Sequence, residues 1–257
     1  MYYKETISVN CSIIFTEIVM NSRSIINGYN EDTTMKKIIA LVLGISFCVV
    51  PLFAGDIPVF VNLGFSANSE YFMFGYYGID VVTGKPYSEI FVVNTPKNDF
   101  TGDGIFRAQY SVTLEAGWNA LAGFLDLYNK TSSVIKKYGI DHFNQGRLAF
   151  LAIDNESDSI TYKDADGSEW QIVLNKKVTE ASGAVSSSFS IEFTVTRAGT
   201  SKTFTAGNPG IVRKNVKNYI IRQIIIAPDG KTIVFIIEKE ETGAKGTRYM
   251  VETYRMP

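Results

Sequence analysis

Four side chains that could bind a cation through oxygen lie close together in the middle of the chain: Asp164, Asp166, Ser168 and Glu169. Calcium prefers oxygen ligands, but the EF-hand loop requires further ligands, a glycine at a fixed position and a distant glutamate. An Asp-Gly pair between two alternating runs is instead typical of a hairpin turn. The sequence therefore predicts a β-hairpin. We assign no metal site and no other cofactor, and Asp164, Asp166 and Glu169 are the residues that a calcium ion would use.

His142 is the only histidine, and both cysteines, Cys11 and Cys48, lie near the beginning of the chain. A zinc site made from several imidazoles or thiolates is therefore excluded. A Ser-His-Asp triad would have to use His142, but no nucleophile-elbow sequence is present. We expect His142 to pack in a loop or at the surface, and we assign no catalytic residue.

Carboxylates for acid-base chemistry are available but do not discriminate between functions. A glycoside hydrolase is diagnosed by the distance between two carboxyl groups, which a sequence does not give. We expect most of these side chains to be solvated. They include Asp80, Glu89, Glu115, Asp154, Glu156 and Asp158.

The aromatic stretch from Tyr71 to Tyr77, with Tyr87 and Phe91 nearby, could stack on sugars or hold a peptide. Core packing explains the same residues more simply. The net charge of −1 gives no electrostatic case for binding nucleic acid or an anionic membrane surface.

Residues 62–94 predict a β-meander with strands at 62–66, 71–77 and 87–94. The strand 71–77 is aromatic on both faces and must therefore be largely buried. A similar pattern recurs at 221–226, 231–238 and 247–253, with a turn at Ala227-Pro228-Asp229-Gly230.

The middle of the chain predicts further strands and turns. The strands are 147–153, 159–163, 169–174, 189–196 and 201–205, with a Ser-rich loop at 181–188. Gly102-Asp103-Gly104 and Gly207-Asn208-Pro209-Gly210 are interpreted as turns.

One amphipathic helix is predicted from about Trp118 to Tyr138. Lys136 and Lys137 place cations in its last turn, and Gly139 suits its end. The apolar positions that follow a helical spacing are Leu121, Phe124, Leu125, Tyr128, Ile135 and Tyr138.

The two meanders resemble blades of a TolB-like β-propeller, over about 70 residues in two separate pieces, whereas a closed propeller needs about four or more blades. The predicted fold is therefore mainly β, with antiparallel blade-like meanders and one amphipathic helix. The alternative is a β-sandwich with one helix.

Met35-Lys36-Lys37 and the apolar run 38–53 are typical of a bacterial signal peptide cleaved between Ala54 and Gly55. We interpret 1–34 as a start assigned too far upstream or a disordered extension, 35–54 as the signal peptide, and 55–257 as a single β-rich domain. In this interpretation the protein contacts the membrane only transiently, through its signal peptide. In the alternative, Cys48 is lipidated and the protein is a lipoprotein.

Several short stretches along residues 62–253 resemble a family of bacterial predicted secreted proteins that is classed only as a domain of unknown function. The most specific is Arg248-Tyr249-Met250-Val251-Glu252-Thr253. The others include Asn62-Leu63-Gly64-Phe65-Ser66, Pro86-Tyr87-Ser88-Glu89-Ile90, Lys137-Tyr138-Gly139-Ile140 and Gly207-Asn208-Pro209. The resemblance implies export and one domain, and it brings no catalytic residue.

The leading functional hypothesis is a non-enzymatic periplasmic or secreted module that binds an envelope or periplasmic protein. One alternative is a carboxylate- or calcium-dependent hydrolase of envelope polymers, which requires a cleft with at least two acids, one of raised pKa. The other is a lipid-anchored envelope protein. The sequence discloses neither the partner nor the oligomeric state.

Overall fold

A computed structural model describes residues 58–115, 117–153, 157–181, 183–242 and 246–257. Within these ranges the chain forms three antiparallel β-sheets and two helices. The first sheet has the strand order β4-β3-β2-β1-β5. Its strands are β1 (Val59–Ser66), β2 (Tyr71–Ile79), β3 (Pro86–Asn94), β4 (Asp99–Gln109) and β5 (Ile140–Asp141).

The helices α1 (Leu121–Asn129) and α2 (Ser132–Tyr138) lie between β4 and β5 in the chain. Phe124, Leu127 and Val134 pack against Met73 and Ile90 on one face of the first sheet. The helices therefore cover that face.

The central sheet has the order β14-β13-β12-β6. Its strands are β6 (Arg147–Leu151), β12 (Val216–Ile226), β13 (Thr232–Glu241) and β14 (Thr247–Arg255). The third sheet has the order β10-β9-β8-β7, and β11 also pairs with β9. Its strands are β7 (Ser159–Lys163), β8 (Glu169–Ala181), β9 (Ala184–Arg197), β10 (Thr200–Ala206) and β11 (Arg213–Lys214).

Alternate side chains of β13 enter two different cores. Phe235 and Ile237 pack against the third sheet, whereas Val234 and Ile236 pack against the first sheet. The central sheet is therefore buried on both faces, which explains why 232–238 is buried without interruption. The order of layers is helices, first sheet, central sheet, third sheet.

The prediction of a mainly β fold with antiparallel meanders is confirmed. The two predicted meanders lie in different sheets, which pack face to face through one core. The propeller resemblance is not confirmed, because each described apolar core joins only neighbouring layers of a stack.

The prediction of one continuous helix from Trp118 to Tyr138 is wrong, because two helices occupy this segment. Asn119 Oδ1 accepts from the Leu121 backbone N–H at 2.8 Å, so the first helix begins there. The helix then breaks at Thr131, which has φ −95° and ψ 0°, and whose backbone N–H and hydroxyl both donate to the Tyr128 carbonyl. The predicted end is confirmed: Gly139 has φ 61°, and Lys136 and Lys137 lie in the last turn.

Two further segments differ from the sequence interpretation. Gly102–Gly104 belongs to β4, where it forms a bulge: Phe91 pairs with Ile105 and Val93 with Phe100, which leaves four residues opposite one. The Ser-rich segment lies mostly in β9 instead of a loop. Its small side chains fit the interior, and the Ser187 hydroxyl donates to the buried Tyr219 hydroxyl at 2.9 Å.

Candidate functional site

A cleft of about 680 Å³ opens where β14, at the edge of the central sheet, meets β3 and β4 of the first sheet. The segment between β10 and β11 of the third sheet forms the remaining wall. β14 contributes Tyr249 and Glu252, and the first sheet contributes Glu89, Phe91, Phe100 and Arg107. The third wall contributes Asn208, Ile211 and Arg213, the first residue of β11. We refer to this site as the cleft.

The turn between β3 and β4 closes one end of the cleft. Asn98 Nδ2 donates to Glu252 Oε2, and Asn98 Oδ1 accepts from the Thr253 backbone N–H at 2.7 Å. The Thr253 hydroxyl donates to the Thr95 carbonyl at 2.7 Å. These bonds fix the first sheet against β14.

Glu252 is a buried carboxyl group, with 4% of its surface exposed. Burial raises the pKa of Glu252, and the Asn98 hydrogen bond and the Arg213 charge only partly oppose this effect. The Arg213 guanidinium lies 3.5 Å from Glu252 Oε1. Both carboxyl oxygens therefore already contact groups of the walls.

A second polar cluster lies farther along the cleft. Arg107 Nε donates to Glu89 Oε2 at 2.8 Å, and the Arg248 guanidinium lies 4.1 Å from the centre of the Tyr87 ring. Burial raises the pKa of Tyr76 well above its usual value, and the Glu89 charge adds to this. Tyr76 therefore stays protonated at neutral pH.

Apolar groups complete the lining of the cleft. Phe100 is 40% exposed and its ring lies 5.1 Å from that of Phe91, whereas Ile211 is 50% exposed on the opposite wall. The cleft therefore combines exposed apolar surface with charged groups that are mostly paired, which suits recognition of a ligand with both kinds of group.

The calcium candidates lie elsewhere, on the turn between β7 and β8, which forms the predicted hairpin. Arg147 binds both oxygens of Asp164, at 2.5 and 2.8 Å. Arg197 lies 3.1 Å from Asp166, whose Oδ1 accepts from the Ser168 hydroxyl at 2.5 Å. Glu169 is exposed at the start of β8.

In this turn Asp164 and Asp166 therefore form ion pairs with arginines. Hydrogen bonding from Arg147 lowers the pKa of Asp164, and hydrogen bonding from Ser168 lowers that of Asp166. In the described ranges, no group of three or more His, Cys, Asp or Glu side chains is arranged to hold a metal ion.

His142 connects the helices to the first sheet. Its Nδ1 lies 2.6 Å from the Leu63 carbonyl and its Nε2 lies 2.6 Å from the Tyr128 hydroxyl. Both ring nitrogens therefore contact protein groups, and the residue is part of the packing between α1 and β1.

The carboxylates singled out in the sequence are scattered. Of those that the structure describes, Glu89 and Asp80 line the cleft. Asp80 caps a turn through Val82 and Thr83, and Asp158 lies 2.6 Å from Lys176. Glu115 is exposed. Asp154 and Glu156 lie outside the described residues, as do Cys48 and the predicted cleavage site Ala54 and Gly55.

Sequence reasoning missed Asn98, Arg213 and Glu252. Asn98 and Glu252 are 154 residues apart, so no local motif connects them. The prediction that the aromatic stretch is buried is confirmed, since Phe72, Met73 and Phe74 have no exposed surface. Tyr76 alone of this stretch lines the cleft.

A model of the family described as "Predicted secreted protein (DUF2259)" matches residues 73–255. This range includes all the residues named above as lining the cleft. No curated protein matches the chain. Neither of the two described helices has the length and apolar character needed to cross a bilayer.

Proposed function

The chain belongs to this family of predicted secreted proteins, and from that premise we propose that it is a non-enzymatic binding module of the bacterial periplasm. The cleft is its binding surface, and its partner is an envelope or periplasmic protein. The observation that carries the proposal is the construction of the cleft from all three sheets.

Two properties of the cleft support a binding role. Its volume of about 680 Å³ falls within the range of roughly 300–1,000 Å³ that is usual for ligand sites. The ion pair of Arg213 with Glu252 joins two walls of the cleft, and the pair of Arg107 with Glu89 orders two side chains within one wall, both before a ligand arrives. Such preorganisation reduces the entropy lost on binding.

Site-specific photocrosslinking tests this proposal. The full chain is expressed in a bacterial host with a photoreactive phenylalanine analogue at Ile211, in the cleft, or at Phe143, which is 99% exposed outside it. We expect one defined crosslinked envelope protein from position 211 and none from position 143. The same product from both positions, or no product from position 211, contradicts the proposal.

Glu252 favours a second candidate function, a hydrolase of envelope polymers. A buried carboxyl group of raised pKa can act as a general acid, and Glu89 supplies a second acid in the same cleft. Purified cell-wall sacculi provide the test. Release of soluble fragments by the wild-type protein but not by Glu252→Gln supports this function, and no release by either protein removes it.

The place of the protein in the envelope depends on its mature N-terminus. We propose cleavage between Ala54 and Gly55, which releases the protein into the periplasm. Mass spectrometry of the mature protein checks this directly: a chain that begins at Gly55 supports release, whereas a diacylglyceryl group on Cys48 establishes a lipoprotein.

A further inference from the structure

β14 is the outer strand of the central sheet, and it presents one side of its backbone to the cleft. In an antiparallel pair, the backbone groups of successive residues point alternately toward the partner strand and away from it. The Thr253 N–H donates to Asn98, on the side away from β13. The Met256 N–H, three residues on, donates to the Lys231 carbonyl beside β13.

This alternation places the N–H and C=O groups of Tyr249 and Val251 on the outer side of β14. Both residues line the cleft. Among the described residues these four groups have no hydrogen-bond partner, because β14 pairs there only with β13. A row of open donors and acceptors on an edge strand is a template for another strand.

The neighbouring contacts set the limits of this open stretch. At one end, the Thr253 N–H donates to Asn98. At the other end, the Thr247 carbonyl accepts a hydrogen bond of 2.6 Å from the Arg248 guanidinium. β4 is the other edge strand beside the cleft, but its bulge at 101–104 interrupts the regular spacing that a new strand needs. The geometry therefore favours β14.

From these observations we infer that the ligand of the cleft is an extended polypeptide segment that adds to the edge of β14 through the backbone of Tyr249 and Val251. This inference rests on the proposed binding function and specifies the chemistry of its partner. Strand addition supplies affinity through backbone hydrogen bonds, while side-chain pockets supply specificity.

The walls of the cleft determine which side chains such a segment can carry. Successive side chains of an added strand point to opposite faces of the sheet. One set faces Phe91 and Phe100 of the first sheet, and the other faces Ile211 in the segment between β10 and β11. Phe91, Phe100 and Ile211 are apolar groups among the charged residues of these walls, so the segment carries an apolar side chain on each face at these positions.

The test begins with the full chain purified from the periplasm of a bacterial host. The probe is a phage-displayed library of random peptides, each long enough to pair with residues 247–253. We expect enrichment of peptides with apolar central residues. On binding, amide exchange at Tyr249 and Val251 slows about tenfold or more, whereas exchange at Met250, already bonded to β13, changes little. N-methylation of the peptide at alternate residues abolishes binding, and N-methylation of the residues between them does not.

Two variants at one position isolate the backbone donor. Tyr249→Pro removes the outward N–H without breaking the ladder to β13, and Tyr249→Ala removes the same ring but keeps the N–H. We expect the Pro variant to bind the selected peptide at least about tenfold more weakly than the Ala variant, which corresponds to one backbone hydrogen bond. If Tyr249→Pro does not fold, the exchange and N-methylation results on the wild-type protein decide the question.

Failure of this inference is distinguishable from failure of the proposed function. Peptides that bind without protecting Tyr249 and Val251, or no enriched peptide at all, overturn the strand addition. The binding function then still stands if crosslinking from position 211 yields its single envelope protein. If neither the backbone protection nor the crosslinked protein is observed, both the strand addition and the binding function are contradicted.

Discussion

Asn98 and Glu252 join two sheets through one pair of side chains. The Asn98 amide donates to the buried Glu252 carboxylate and accepts from the backbone of the next residue, Thr253. Asn98 has a positive φ of 51°, which asparagine tolerates better than most residues. The turn after β3 thus supplies both the conformation and the hydrogen bonds that close one end of the cleft.

Replacing Asn98 by Ala removes its hydrogen bonds with Glu252 and Thr253 and leaves a buried carboxyl group without its amide donor. We expect the free energy of unfolding to fall by about 2–4 kcal/mol. Asn98→Gly loses the same bonds but accepts the positive φ, so its loss should be smaller by about 1 kcal/mol. Urea unfolding of both variants measures the two contributions. Equal stability of Asn98→Ala and the wild-type protein contradicts the assigned role.

Glu252→Gln tests the effect of burying an ionisable carboxyl group. Because burial raises the pKa of Glu252 in the folded state, its contribution to stability is full below the unfolded pKa and is lost as the pH rises through the folded pKa. The stability of the Gln variant relative to wild type should therefore increase between pH 4, just below the usual Glu pKa of about 4.3, and pH 8. Unfolding midpoints across this interval check the sign.

Glu180→Gln is the matched control for this pH series, because Glu180 is exposed on β8. We expect its stability relative to wild type to stay nearly constant across the interval. A similar rise in both variants would mean that the effect does not come from the burial of Glu252.

Arg147→Met leaves the Asp164 carboxylate, which is 7% exposed, without its bidentate partner. We expect a loss of about 2–3 kcal/mol, below the usual cost for a fully buried pair because Arg147 is half exposed. Adding Asp164→Asn should recover part of this loss. Thermal unfolding of the single and double variants measures the coupling, and independent, additive effects would contradict the pairing.

The same pair allows a test of calcium binding at the hairpin. Since Arg147 occupies both oxygens of Asp164, we expect millimolar calcium to leave the melting temperature of the wild-type protein unchanged. A rise in melting temperature that disappears in Asp166→Asn would instead establish a calcium site on this turn.

Gly64→Ala tests the close approach of β1 to the segment after the helices. Gly64 has φ 97°, and an added Cβ would lie 2.2 Å from the Asp141 carbonyl oxygen. We expect a loss of about 3 kcal/mol or more, because backbone strain and a clash with main-chain atoms add together. Gly102→Ala is the control, since no atom lies within 4 Å of its added Cβ. Similar stabilities of the two variants would contradict the clash.

Strands with strong local signals could be predicted from the sequence. The run 233–237 is continuous in apolar residues because both faces of its strand are buried, and Asp166-Gly167 marks a tight turn by its backbone preference. β4 could not be predicted in the same way. Its glycines form a bulge whose partner, β3, is set by the tertiary structure.

The cleft itself was beyond local sequence reasoning. Glu252 reads as an ordinary polar position of a strand, and only the fold brings it to Asn98 and Arg213. The break between the helices also depends on context, since Thr131 is fully buried and its hydroxyl satisfies a carbonyl of the preceding turn. Contacts between residues far apart in sequence therefore form the cleft, which the sequence did not reveal.

The placement of the central sheet has a consequence for biosynthesis. Three of its four strands, β12, β13 and β14, follow both outer sheets in the chain, yet their side chains complete the cores on either side. A polypeptide that emerges from its N-terminal end therefore exposes the apolar faces of two unfinished sheets until about residue 255 is available. We therefore expect the three sheets to fold together, and only after synthesis has passed about residue 255.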